Sequence, residues 1–91
     1  MSVLITGCSE GGIGHILALE WKSRDYRVFA TARKLSAMTT LQEAGIECLE
    51  LDVTDIDSVR LVKDQVAEKT GGKLDILVNN AGQGKLPPKL F

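Results

Sequence analysis

The 91-residue chain has little of what staples small proteins or binds metals: two cysteines, Cys8 and Cys48, and one histidine, His15. Cysteines so few and so far apart make neither a disulfide framework nor a zinc site, so a reducing compartment is expected and no metal ligands are assigned. An excess of charge of one sign is also missing. A net charge of −1 gives no electrostatic reason to expect nucleic acid or an anionic membrane surface as a partner. Met1-Ser2-Val3 leads directly into an apolar segment without a basic stretch. No apolar run approaches the roughly 20 residues of a membrane span. Neither a signal peptide nor a transmembrane segment is expected, and a cytoplasmic address is the simplest.

What is present is ordinary for a soluble globular chain: 44% hydrophobic and 25% charged residues, in a length that allows one small domain or a piece of a larger one. Apolar runs of strand length occur at Val3–Ile5, Tyr26–Ala30, Ile46–Leu51 and Leu74–Val78. They are nearly continuous, as in strands buried on both faces. Between them lie three stretches with helical spacing: Ile13, Ile16, Leu17 and Trp21; Ala37, Met38, Leu41 and Ala44; Ile56, Val59, Val62 and Val66. In Thr54-Asp55-Ile56-Asp57, Thr54 is expected to cap the third helix, with Asp57 answering it and Asp55 in the first turn. Gly45 and Gly71-Gly72 follow the second and third helical stretches, where a left-handed residue is wanted.

The chain therefore reads β-α-β-α-β-α-β, an α/β fold. Strands separated by helices pair in parallel through right-handed crossovers, which gives the strand order 3-2-1-4 of a partial, Rossmann-like, doubly wound sheet. Ligands of such sheets bind at the switch point outside the strands' carboxyl ends. Gly7–Gly14 and Asn79–Gly82 both lie at those ends.

Residues 7–14, Gly-Cys-Ser-Glu-Gly-Gly-Ile-Gly, join the first strand to the first helical stretch. Such a turn exposes backbone N–H groups and a positive dipole end to an anion. A triphosphate-binding loop would need a Lys-Ser/Thr pair after its second glycine, and none follows. A dinucleotide site reading the ribose 2′-hydroxyl would place a carboxylate at the end of the second strand. Here Thr31-Ala32-Arg33 stands there instead. A guanidinium suits a phosphate monoester, so Arg33 favours NADP over NAD and argues against an S-adenosylmethionine site.

With Thr6-Gly7, Gly12-Ile13-Gly14, Asp52-Val53 and Asn79-Asn80-Ala81-Gly82 in order, the chain resembles the short-chain dehydrogenase/reductase family over residues 2–82. The resemblance implies an NADPH-dependent carbonyl reductase. It also implies a cofactor site in which Gly7, Gly12, Ile13 and Gly14 form the pyrophosphate turn, with Ser9 and Glu10 at its tip. Arg33 would clamp the 2′-phosphate, and Asp52 with the Val53 backbone would meet the adenine amino group. Asn80, Ala81 and Gly82 would contact the ribose and the strand end. Within the family, Ile5–Ser9 with its doubled glycine and Phe29–Arg33 look most like the fungal NADPH-dependent 1-acyldihydroxyacetone phosphate reductases. Homo-oligomers, and a place at the periphery of the endoplasmic reticulum or lipid droplets, follow from the same resemblance.

Two features depart from the family pattern. The loop carries one extra glycine, so either Gly11 or Gly12 can be the one that approaches the pyrophosphate. The family's catalytic Ser, Tyr and Lys lie beyond the Asn-Asn-Ala-Gly motif, and no Tyr-x-x-x-Lys occurs in these 91 residues. The expectation is a reductase truncated before its catalytic residues, with residues 1–82 the cofactor-binding part and residues 83–91 an irregular tail unlike the family. The alternative is a dinucleotide-binding fragment without activity, marginally folded or self-associating along an exposed edge. Cys8 reads as a small spacer in a tight turn, His15 as an exposed helix residue, and Trp21 as core.

Overall fold

In a computed structural model, which describes residues 1–80, eight short elements alternate as expected. They are β1 (Ser2–Ile5), α1 (Ile13–Ser23), β2 (Arg27–Ala32), a 3-10 turn (Leu35–Met38), α2 (Thr39–Glu43), β3 (Glu47–Glu50), α3 (Ile56–Thr70) and β4 (Ile76–Val78). The four strands form one sheet in the order β3-β2-β1-β4, all parallel. Val3 is in register with both Val28 and Ile76, so β1 runs through the middle of the sheet. The expectations for Ala81, Gly82 and residues 83–91 lie outside the described residues.

The pleat sorts each strand's side chains between two cores. Val3, Ile5, Val28, Ala30 and Ala32 face α1 and α2, where they meet Ala18, Met38 and Leu41. Leu4 and Phe29 face α3 and meet Val59, Val62 and Val66. Burying each of those valines contributes roughly 1.5–3 kcal/mol. α3 is the helix that covers this second face among the described residues.

Two local expectations are corrected. The face that α1 turns inward carries Gly14 and Ala18, with Leu17 and Trp21 half-buried beside them, whereas Ile13 and Ile16 are exposed. The cause is close approach. A Cβ on Gly14 would collide with the Gly7 carbonyl, so the smallest residue of the helix, not the most apolar one, points at the sheet. The second correction is the cap of α3, which is Asp55: its carboxylate accepts the Asp57 N–H at 3.0 Å. Thr54 is turned the other way, its N–H and its hydroxyl both donating to Asp52. The second helical stretch is also broken, a 3-10 turn and then a short helix, but Met38 and Leu41 are buried from it as the spacing implies. Gly45 and Gly71 take positive φ after α2 and α3.

Candidate functional site

The carboxyl ends of β1, β2 and β3 open on a cavity of about 340 Å³. This volume lies at the lower end of small-molecule pockets, enough for one nucleoside-sized group. Gly7 and Ser9 form one wall, Ala32 and Arg33 another, and Leu51, Asp52 and Val53 the third. Residues far apart in the sequence meet here because three parallel strands end side by side.

The glycine loop is built in detail. Gly7 and Gly11 have φ of 71° and 81°, which L side chains rarely adopt. Gly12, by contrast, has an ordinary φ of −94° and is the N-cap of α1. The doubled glycine therefore divides its work: Gly11 turns the chain and Gly12 starts the helix. Within the loop, the N–H groups of Cys8, Glu10 and Gly12 are bonded to Thr31, Ala37 and Ser9. The first intrahelical bond runs from the Ile16 N–H to the Gly12 carbonyl. The N–H groups of Ile13, Gly14 and His15 precede it and are the donors that a helix start leaves for an anion.

Side chains fasten the loop on both flanks. Asn80 donates its side-chain N–H to the Gly7 carbonyl at 3.2 Å and its backbone N–H to Thr6 Oγ1 at 2.8 Å, tying the end of β4 to the turn. On the other flank the Glu10 carboxylate accepts the Thr40 N–H at 3.1 Å and its hydroxyl at 2.6 Å. These bonds hold Glu10 below the usual carboxylate range. Glu10 thus clamps the loop to α2. Its sequence signal is faint, since nothing in Glu10 or Thr40 alone announces a contact across 30 residues.

Arg33 and Asp52 face each other across the cavity mouth, with Nη2 3.4 Å from Oδ2. The other carboxylate oxygen of Asp52 accepts the Thr54 N–H at 2.9 Å and the Thr54 hydroxyl at 2.6 Å. Those two bonds first, and Arg33 second, keep Asp52 below the normal carboxylate range. The Asp52 N–H is bonded to Ser58 Oγ at 2.9 Å. Sequence reasoning named Arg33, Asp52 and Val53 but missed Leu51 and Thr54, which provide an apolar wall and the fixed orientation of Asp52.

Cys8 lies inside the loop and is fully buried, its thiol on the Ile5 carbonyl at 3.2 Å. Burial pushes the thiol up to about 11, so it is a packing residue rather than a nucleophile. His15 is half-buried, not exposed as its place after Gly14 suggested, and its Nδ1 has no hydrogen-bond partner among the described residues. Among those residues no helix is long and apolar enough to cross a membrane.

The structure thus brings Gly7, Ser9, Arg33, Asp52 and Val53 to one cavity and Gly12, Ile13, Gly14 and Asn80 to its loop. Known proteins resemble the chain in sequence and fold. A family model described as short chain dehydrogenase matches residues 1–90. The chain is 55% identical over 80 residues to the NADPH-dependent 1-acyldihydroxyacetone phosphate reductase of Schizosaccharomyces pombe, covering 88% of this chain and 27% of that protein. It is 47% identical over 90 residues to the short-chain dehydrogenase cctT of Talaromyces islandicus, covering 98% of this chain and 32% of that one. Among solved structures, a short-chain dehydrogenase from Streptomyces avermitilis superposes with a TM-score of 0.81 at 35% identity, over 90% of this chain and 31% of that one. ElxO with NADP bound superposes with a TM-score of 0.77 at 39% identity, over 90% and 35%. The chain spans about a third of the length of the relatives it matches. Sheet order, glycine turn and relatives agree: the chain belongs to the short-chain dehydrogenase family of oxidoreductases.

Proposed function

We propose that the chain binds NADP(H), with the adenosine and its 2′-phosphate in the cavity between Arg33 and Asp52 and the pyrophosphate over the start of α1. The observation that carries this reading is Arg33 itself, a largely exposed guanidinium at the end of β2 where a 2′-hydroxyl reader would carry a carboxylate. Asp52 and the Val53 backbone suit the adenine amino group at the opposite wall. The N–H groups of Ile13, Gly14 and His15 suit the pyrophosphate, with Gly7 and Gly12 shaping the turn and Ser9 beside it. Glu10 contributes by holding the turn to α2. Asn80 acts on the ribose side through Gly7, and Ala81 and Gly82, outside the described residues, complete that assignment.

When bound, NADPH supplies a hydride donor. In the whole protein that hydride would reduce a ketone, with an acylated dihydroxyacetone phosphate the favoured substrate class because the Schizosaccharomyces pombe relative carries that name. Homo-oligomer formation, and a cytoplasmic location at the endoplasmic reticulum or lipid-droplet surface, belong to the same proposal. A second reading, binding without turnover, concerns these 91 residues alone: their single tyrosine, Tyr26, sits before β2 and is not part of a Tyr-x-x-x-Lys. Titration of NADPH fluorescence against wild type and Arg33→Ala tests the cofactor assignment. The variant is expected to bind NADPH at least tenfold more weakly and NADH unchanged; equal NADPH affinity in the two proteins removes the 2′-phosphate role. Turnover of an acyl dihydroxyacetone phosphate by the same protein decides between the two readings.

A further inference from the structure

Two arginine–carboxylate pairs in this chain are built differently. At the amino ends of the strands, Arg27 grips Glu47 with two contacts of 2.7 and 3.1 Å and adds a bond to the Lys69 carbonyl at 2.6 Å. That is a pair built to stay closed. Arg33 and Asp52 share one contact of 3.4 Å, and the Arg33 side chain is 72% exposed. Asp52 is a fixed anion, pinned by Thr54 through one oxygen and by Ser58 through its N–H. Arg33 is the more exposed partner, and Asp52 is its ion-pair partner among the described residues.

We propose that Asp52 is a specificity-determining residue acting through Arg33: it holds the guanidinium in the ligand-free chain, competes with the ribose 2′-phosphate for it, and so tempers the preference for the phosphorylated dinucleotide. The inference rests on the NADP(H) reading above. A guanidinium can turn from one anion to the other only if the first contact is weak, and a single long, solvent-exposed pair is weak. Because Thr54 and Ser58 hold Asp52 in place, a 2′-phosphate that draws the guanidinium toward itself does so at the expense of this contact. NADH lacks the 2′-phosphate and leaves the pair intact. The ratio of NADPH to NADH affinity therefore isolates the competition, since whatever Asp52 does for the adenine is common to both nucleotides.

The test measures both affinities by nucleotide fluorescence for wild type, Asp52→Asn, Arg33→Ala and the double variant. Asparagine keeps an oxygen acceptor for Thr54, so the turn survives while the charge is lost. Asp52→Asn is expected to raise the NADPH:NADH affinity ratio by about 1.4-fold to 5-fold, the range of an exposed pair. In the Arg33→Ala background the same change should leave the ratio unmoved. Asp52→Ser, which also keeps an acceptor, is the second variant and should give the same rise. A ratio that stays or falls overturns the proposal, and so does an equal rise without Arg33, which would mean that Asp52 repels the phosphate directly. If wild type binds neither nucleotide, the NADP(H) reading fails and takes this inference with it. If wild type prefers NADPH and Asp52→Asn leaves the ratio unchanged, the inference alone fails.

Discussion

Gly14 is where the fold and the candidate site depend on the same atom, and Gly14→Ala perturbs both. A Cβ there would press into the Gly7 carbonyl group and stand 2.8 Å from Asn80 Nδ2. Alanine gains about 1 kcal/mol of helix propensity over glycine. Against that, forcing a methyl into a packed contact costs about 1–3 kcal/mol. Straining the Asn80 to Gly7 bond costs roughly another 0.5–1.5 kcal/mol. The net expectation is a loss of about 2 kcal/mol, which in a domain of this size lowers Tm by roughly 8–16 °C. Since α1 or the turn must shift, the N–H groups proposed for the pyrophosphate shift too, and NADPH affinity should fall at least tenfold. Gly11→Asn is the control. A Cβ at this position meets nothing within 4 Å, and asparagine tolerates a φ of 81°, so less than about 1 kcal/mol and little affinity should be lost. Thermal melts and NADPH titrations of the two variants check the pair. A Gly14→Ala protein that melts and binds like wild type would refute the close contact between α1 and the turn.

Three further outcomes follow from the same geometry. The Cys8 thiol, pushed from 9.0 to about 11 by burial, stays protonated in the folded chain while the unfolded chain ionises; its contribution is complete below about pH 8.5 and is lost as pH rises to 11. This loss amounts to about 3 kcal/mol in urea melts of wild type and is missing from Cys8→Ala; equal alkaline losses in both would remove buried Cys8 from the account. Asp55→Ala should cost about 1 kcal/mol by leaving the Asp57 N–H without its cap, whereas Thr54→Ala spares the cap; urea midpoints of the two variants rank them. Asp52, Glu10, Glu47 and Asp75 are all held below their usual range by hydrogen bonds or cations, so they contribute stability above about pH 5 that is lost as pH falls through 4 and below. A pH series of melts should show that acid loss, and a stability flat down to pH 2 would contradict it.

The strand order was legible because β-α alternation allows few parallel topologies, and Arg33 and Asp52 because they stand at strand ends, where side chains from different strands converge. The orientation of α1 was not. Apolar periodicity points to Ile13 and Ile16, but closeness to Gly7 selects Gly14 and Ala18, and hydropathy carries no information about backbone contact. The cap of α3 was misplaced by one residue because Asp52 competes for Thr54, a side-chain bond that spacing rules do not include. Glu10 is placed in the loop by its sequence position, but its bonds to Thr40 depend on how the 3-10 turn and α2 fold back. The doubled glycine could not be divided from sequence, since φ alone separates Gly11 from Gly12.

The most direct test of the account is the map of backbone NMR shifts in the 15N-labelled chain on titration with NADPH. The predicted map is contiguous: Gly7, Ser9, Gly11 to His15, Arg33, Lys34, Asp52 and Val53 move together, and NADH moves the same residues except Arg33 and its neighbour Lys34. Shifts centred on Arg27, Lys73 and Asp75 at the opposite ends of the strands, or no shifts at millimolar nucleotide, would contradict it.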